Sequence, residues 1–135
     1  MVGWLPWFHA VVACSWMPHA ACHYFRLETR STFQVGSWSF SRVDSMLAIL
    51  VYSILAGSNV VAVGVTTVRS SVLLVSGVAH LVIGFLHLAR VVRPFRFEVL
   101  GHAWSRGSSL REAVLALGLG VLCLGMALTA TRQGA

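Results

Sequence analysis

The chain has no lysine, and its only acidic residues are Glu28, Asp44, Glu98 and Glu112. Charged residues make up 10% of the sequence, against about 25% in an ordinary soluble domain. That is too little charge to wet the surface of a globule this size, which excludes a cytosolic enzyme. The 57% hydrophobic content excludes a disordered chain. Cysteine is scarce as well. Cys14, Cys22 and Cys123 form no C-x-x-C, and an odd number without pairing spacing supports no disulfide framework. Each lies in or beside an apolar run and reads as a small hydrophobe. No G-x-S-x-G, H-E-x-x-H, Walker loop or paired carboxylates occur, so no catalytic residue is assigned and the protein reads as non-enzymatic. No internal repeat, low-complexity tract or domain boundary is legible, which leaves one domain, 1–135.

What is present is four stretches without a charged side chain: 1–25, 45–68, 70–89 and 113–131. A helix needs about 20 largely apolar residues to cross the hydrocarbon of a bilayer. A helix is also how a short segment satisfies its own backbone there. No stretch carries the charged stripe of a soluble amphipathic helix. The expected fold class is therefore all-α: an integral membrane four-helix bundle with spans at about 4–25, 46–68, 70–89 and 112–131. A rival count of three spans would demote the first, which holds Pro6, Pro18, His9, His19 and His23. No basic residue precedes Arg26, unlike a secretory signal, so the segment reads as a retained span. Trp4 and Trp7 then belong to an interfacial aromatic belt.

Arg69, within Thr66–Ser71, is the single charge between the second and third spans, and so short a connection implies a tight antiparallel hairpin. The first long loop, Arg26–Asp44, is Ser/Thr-rich and contains Gly36 and Trp38. In the second, Arg90–Glu112, arginines alternate with Phe95, Phe97 and Trp104. It reads as a short helix in the headgroup region, with Arg90, Arg93, Arg96 and Arg106 facing anionic lipid, or as a solvated basic loop. The net charge of +6 thus belongs to loops, and no nucleic-acid partner is expected. Eight arginines lie in the two long loops, against Arg69 and Arg132 elsewhere. The positive-inside rule then puts the long loops in the cytoplasm, or in the matrix for a mitochondrial inner membrane, and the termini opposite. Asp44 with Ser41 or Ser45, and Glu112 with Ser108 or Ser109, read as helix N-terminal caps.

Polar and small residues inside the spans mark packing faces. Leu73, Gly77, His80, Gly84 and His87 share one face of the third span. Ser53-x-x-x-Gly57, followed by Asn59, and Ala116-x-x-x-Gly120, with Gly118 and Gly125 nearby, are small-residue seams for close helix association, within the bundle or with a partner. His80 and His87, with His9, His19 and His23 in the first span, admit a haem or metal site. One helix cannot ligate both faces of a haem, and no motif fixes a second ligand. Hydrogen bonding between helices by buried neutral histidines is the preferred reading, and no cofactor or metal is assigned.

Ser70-Ser71-Val72-Leu73-Leu74-Val75-Ser76-Gly77-Val78-Ala79-His80 resembles the serine-leading third span of the transmembrane protein 107 family, four-span proteins of the ciliary transition zone. His9, Asp44, Trp104 and Ser109-Leu110 follow the family's layout in order. The resemblance implies a non-enzymatic scaffold or assembly protein of the membrane module that gates entry to cilia, partnered by other membrane proteins and anionic lipid headgroups. It also implies cytosolic termini, opposite to the arginine count. The alternative is an accessory subunit of a mitochondrial respiratory or similar membrane complex; a third reading is a small transporter or a haem-binding membrane protein.

Overall fold

The computed structural model describes the backbone of residues 3–133 and the side chains up to Thr131. The outermost positions of the expected 1–135 domain, and the Arg132 side chain, lie outside the described residues. Four helices carry the chain: α1 (Leu5–Thr29), α2 (Arg42–Gly64), α3 (Arg69–Val92) and α4 (Arg106–Gln133). A 3-10 turn over Thr66–Val68 joins α2 to α3 in a tight hairpin. There Arg69 donates to the carbonyls of Ala62 and Val63, 2.8 and 2.7 Å away, and so closes the open end of α2.

Local chemistry sets the helix ends. Pro6 sits in the first turn of α1, where its missing N–H costs nothing, and Arg30 ends that helix with φ 53°. At α2 the Ser41 hydroxyl accepts from the Asp44 N–H at 3.1 Å, while the Asp44 carboxylate accepts from the Ser41 N–H at 2.7 Å. This is a reciprocal capping box. At α4 the cap is Ser105, whose hydroxyl accepts from the Ser108 N–H at 2.9 Å. The expected cap at Glu112 is therefore corrected: α4 begins at Arg106, and Glu112 already lies in its second turn.

The two long loops are not simple coils. They form β1 (Gln34–Val35), β2 (Trp38–Ser39), β3 (Phe97–Val99) and β4 (His102–Ala103), one sheet of order β2-β1-β3-β4. The expectation of a short headgroup helix in the second loop is overturned. Leu100 and Gly101, at φ 54° and 78°, make a tight turn with both central residues left-handed, which folds Phe97–Ala103 into a hairpin. The all-α architecture thus carries a small sheet that joins the two long loops at one end of the bundle.

α1 packs along α2 and α3 along α4, around Leu5, Val12, Trp16, Leu55, Leu73, Cys123 and Ala127. Three segments are long and apolar enough to cross a membrane: Arg42–Gly64, Thr66–Val92 and Arg106–Thr131, with mean hydropathies of 2.1, 2.2 and 2.3. α1 is not among them.

The two helical hairpins are copies of one unit, which corrects the expectation of no internal repeat. His23, Arg26, Phe33, Val35, Ser41, Arg42 and Ser45 recur without a gap as His87, Arg90, Phe97, Val99, Ser105, Arg106 and Ser109, each 64 positions on. α3 and α4 start at that same offset from α1 and α2. Strand register repeats as well: Gln34↔Ser39 and Val35↔Trp38 become Glu98↔Ala103 and Val99↔His102. The central pairing Gln34↔Glu98 joins a residue to its own counterpart, so a pseudo-two-fold axis passes through the middle of the sheet. Elsewhere the halves share buried positions but few identities, as where Trp16 and His80 occupy one buried position and Asn59 and Cys123 another.

Candidate functional site

Polar groups inside the bundle link its helices. His9 is fully buried on α1, and its Nδ1–H donates to Asn59 Oδ1 on α2 at 2.9 Å. Asn59 Nδ2 donates to the Leu55 carbonyl at 2.9 Å and to Ser76 Oγ on α3 at 2.8 Å. Next to this chain lies His80, whose Nδ1 faces the Ser76 carbonyl at 2.8 Å. A carbonyl only accepts, so Nδ1 carries the proton; Nε2 lies 2.9 Å from the Ser15 hydroxyl of α1, whose single proton it shares with the Val12 carbonyl 2.7 Å from the same oxygen. Trp16 covers the imidazole, with 3.9 Å between ring centroids. Three helices are thereby joined through groups that have few other partners in an apolar surrounding.

Two arginine clamps stand beneath the sheet. Arg26 donates through Nη1 to the Ser41 carbonyl and Ser45 Oγ, at 3.2 and 2.8 Å, and through Nη2 to the Phe40 carbonyl. Arg90 repeats the pattern, through Nη1 to the Ser105 carbonyl and Ser109 Oγ, at 2.9 and 2.7 Å, and through Nη2 to the Trp104 carbonyl. Each clamp ties the last turn of one helix to the start of the next and holds the β-hairpin between them. Arg90 is only 7% exposed, so its assignment to lipid headgroups is corrected: its guanidinium is occupied by backbone acceptors. Arg93, Arg96 and Arg106 are exposed. Arg96 pairs with Glu98 at 2.8 Å, and Arg106 donates to the Val91 carbonyl at 2.8 Å.

Of the small-residue positions, Gly77, Gly84, Ala116 and Gly120 come together between α3 and α4, on the buried face that also carries His80 and His87. A Cβ at Gly84 would stand 2.7 Å from Leu117 Cγ, and one at Gly120 2.7 Å from Leu81 Cδ2. Ser53 and Gly57 are not brought to that interface. They face outward on α2, and nothing lies within 4 Å of a Cβ built on Gly57.

A cavity of about 260 Å³ lies between the two repeats below the sheet. Its walls come in equivalent pairs: His23 with His87, Phe33 with Phe97, and Phe40 with Trp104. His19, Cys22, Tyr52 and Glu112 add further polar groups to the lining. His23 Nδ1 has Ser45 Oγ at 3.3 Å as partner, whereas His87 Nδ1 and Trp104 Nε1 are shielded from solvent with no hydrogen-bond partner. Among the described residues, no three His, Cys, Asp or Glu side chains are grouped so as to hold a metal ion.

The clamps, the paired cavity and the sheet escape a reading based on apolar runs and charge. A signal for them exists: His-x-x-Arg, Phe-x-Val and Ser-Arg-x-x-Ser occur twice, in the same order and at the same spacing. No family model, curated protein or solved structure matches this chain.

Proposed function

We propose that the protein is a four-span, non-enzymatic membrane scaffold, built from two fused helical hairpins and working within a larger membrane assembly. The distribution of side chains around α1 is the observation that supports counting it as a span. Its low hydropathy comes largely from His9, Ser15, His19 and His23, all buried or half-buried against the bundle. The outer face presents Trp4, Trp7, Val11, Met17, Tyr24 and Phe25, each more than half exposed and none charged. At 1.5 Å per residue its 25 residues extend about 37 Å, enough to cross.

The scaffold reading draws on what the bundle leaves open. Gly57 on α2, and Gly118 and Gly125 on α4, point away from neighbours, beside exposed Ile54, Val61, Val121 and Leu122. Such small-residue stripes allow another helix to approach closely. Placement at the ciliary transition zone rests on the resemblance of the third span. Single-cysteine accessibility mapping tests the topology: in the four-span arrangement, Gly36→Cys and Gly101→Cys label from one side and Gly3→Cys and Thr66→Cys from the other, whereas Gly3→Cys labelling with Gly36→Cys removes α1 from the spans. Imaging of the tagged chain tests the location. Signal at the ciliary base supports the transition-zone reading, while recovery in a stable mitochondrial complex assigns an accessory subunit instead.

A further inference from the structure

We propose that the cavity between the repeats is a binding site for a neutral, flat ring compound carrying carbonyl oxygens, of the quinone type. The scaffold reading makes no use of this space. Its walls are mainly aromatic and aliphatic: Phe33, Phe40, Phe97, Tyr52, Ile83 and Leu86 surround it, which suits a planar apolar body. The volume of about 260 Å³ fits a ring head group rather than a complete drug-sized molecule.

The polar lining narrows the chemistry. An indole N–H can only donate, and Trp104 Nε1 is shielded without an acceptor. His87, 8% exposed, adds a second unpartnered nitrogen on the same half of the cavity. Each serine accepts from its own arginine, but only Ser45 Oγ also has the histidine within reach, His23 Nδ1 at 3.3 Å, while no contact joins Ser109 Oγ to His87. The second repeat therefore lines the cavity with a buried donor that lacks an acceptor, and a ligand carbonyl supplies one. No arginine lines the space and Glu112 does, which disfavours an anion. The arginine clamps close by, and a net charge of +6, disfavour a cation. A ring with carbonyls on opposite sides also matches a cavity in which His23 and His87 stand at equivalent positions about a two-fold axis, with His19 added on the first repeat's side.

The test uses the full chain purified in detergent micelles and titrated with decyl-ubiquinone by calorimetry. It does not depend on how the chain crosses a membrane, so its outcome is separate from that of the topology mapping. Trp104→Phe removes the donor but keeps a ring, and phenylalanine is what the first repeat carries at the equivalent Phe40. Saturable one-site binding that weakens at least ten-fold in Trp104→Phe, with an unchanged thermal midpoint, is the expected result. His87→Phe should weaken binding in the same direction. Decylbenzene, which has the ring and tail but no acceptor, should bind at least ten-fold more weakly than the quinone. Equal binding by wild type and Trp104→Phe, or equal affinity for decylbenzene, overturns the proposal. So does a Soret band in the purified protein that His23→Ala or His87→Ala abolishes, which would make the site a haem pocket. Tight tetraphenylphosphonium binding lost in Glu112→Gln, without quinone binding, likewise overturns it in favour of a lipophilic cation.

Discussion

Adding one methyl group at Gly84 or at Gly57 should have opposite effects on stability. At Gly84 a new Cβ would lie 2.7 and 2.8 Å from Leu117 Cγ and Cδ2, and 3.0 Å from the Leu117 backbone nitrogen. The side-chain atoms can rotate away. The nitrogen moves only if α4 moves, and α4 is held against α3 along its length. Overpacking of this kind costs about 1–3 kcal/mol. Replacing a mid-helix glycine by alanine contributes up to about 1 kcal/mol in the other direction. Gly57 has the same chemistry with nothing within 4 Å, so only the favourable part remains there. Gly84→Ala should therefore be less stable than wild type by about 0.5–2 kcal/mol, and Gly57→Ala equal to or more stable than wild type. Gly84→Leu should lose more, and more than Leu86→Ala. Reversible unfolding of the purified chain in mixed micelles, by far-ultraviolet circular dichroism against increasing SDS, measures the differences. If Gly84→Ala is as stable as Gly57→Ala, the close approach of α3 and α4 at this seam is wrong.

Further outcomes follow from the hydrogen bonding. Arg90→Met strands the carbonyls of Phe95 and Trp104, removes one donor from Ser105 and Ser109, and should cost about 2–4 kcal/mol. Arg93→Met, on an exposed side chain, should stay within about 0.5 kcal/mol, and the same denaturation assay compares the two. Hydrogen exchange over 97–104 should quicken in Arg90→Met, and over 33–40 in Arg26→Met, because each clamp holds its own hairpin. Asn59→Leu and His9→Leu should couple in a double-mutant cycle by about 0.6 kcal/mol and by no more than about 1.7 kcal/mol, the average and the upper value for hydrogen bonds between membrane helices. Ser41→Ala removes one half of the capping box and should cost about 1 kcal/mol, read from the unfolding midpoint.

Much of the architecture is legible in the chain because it depends on one-dimensional quantities. Charge is so sparse that its positions mark the ends of the apolar segments. The short connection around Arg69 permits only a hairpin, and Asp44 three residues after Ser41 is a cap that can be read directly. The face holding Leu73, Gly77, His80, Gly84 and His87 follows from helical periodicity, and all five side chains are buried. Arg90 illustrates the opposite case. Counted along the chain it is one more loop cation, yet the fold surrounds it with the carbonyls of Phe95, Trp104 and Ser105, and it becomes an internal tie. Ser53-x-x-x-Gly57 has the spacing of a seam, but which side of α2 meets a neighbour depends on how the hairpins are rotated.

Read alone, then, the chain dictates four long helices, their approximate ends and the placement of arginine near or beyond those ends. Composition and spacing suffice for that, since the length of an apolar run and the chemistry of its caps are local properties. Three matters awaited the folded arrangement: which faces meet, how the loops pair, and that the halves repeat. The pairing of β1 with β3 joins residues far apart in sequence, and its hydrogen bonds run between backbones, which side-chain patterns scarcely encode. The repeat is obscured for a related reason. Packing within the hairpins specifies burial more than identity, so the recurring amino acids are concentrated in the clamps, helix caps and cavity walls.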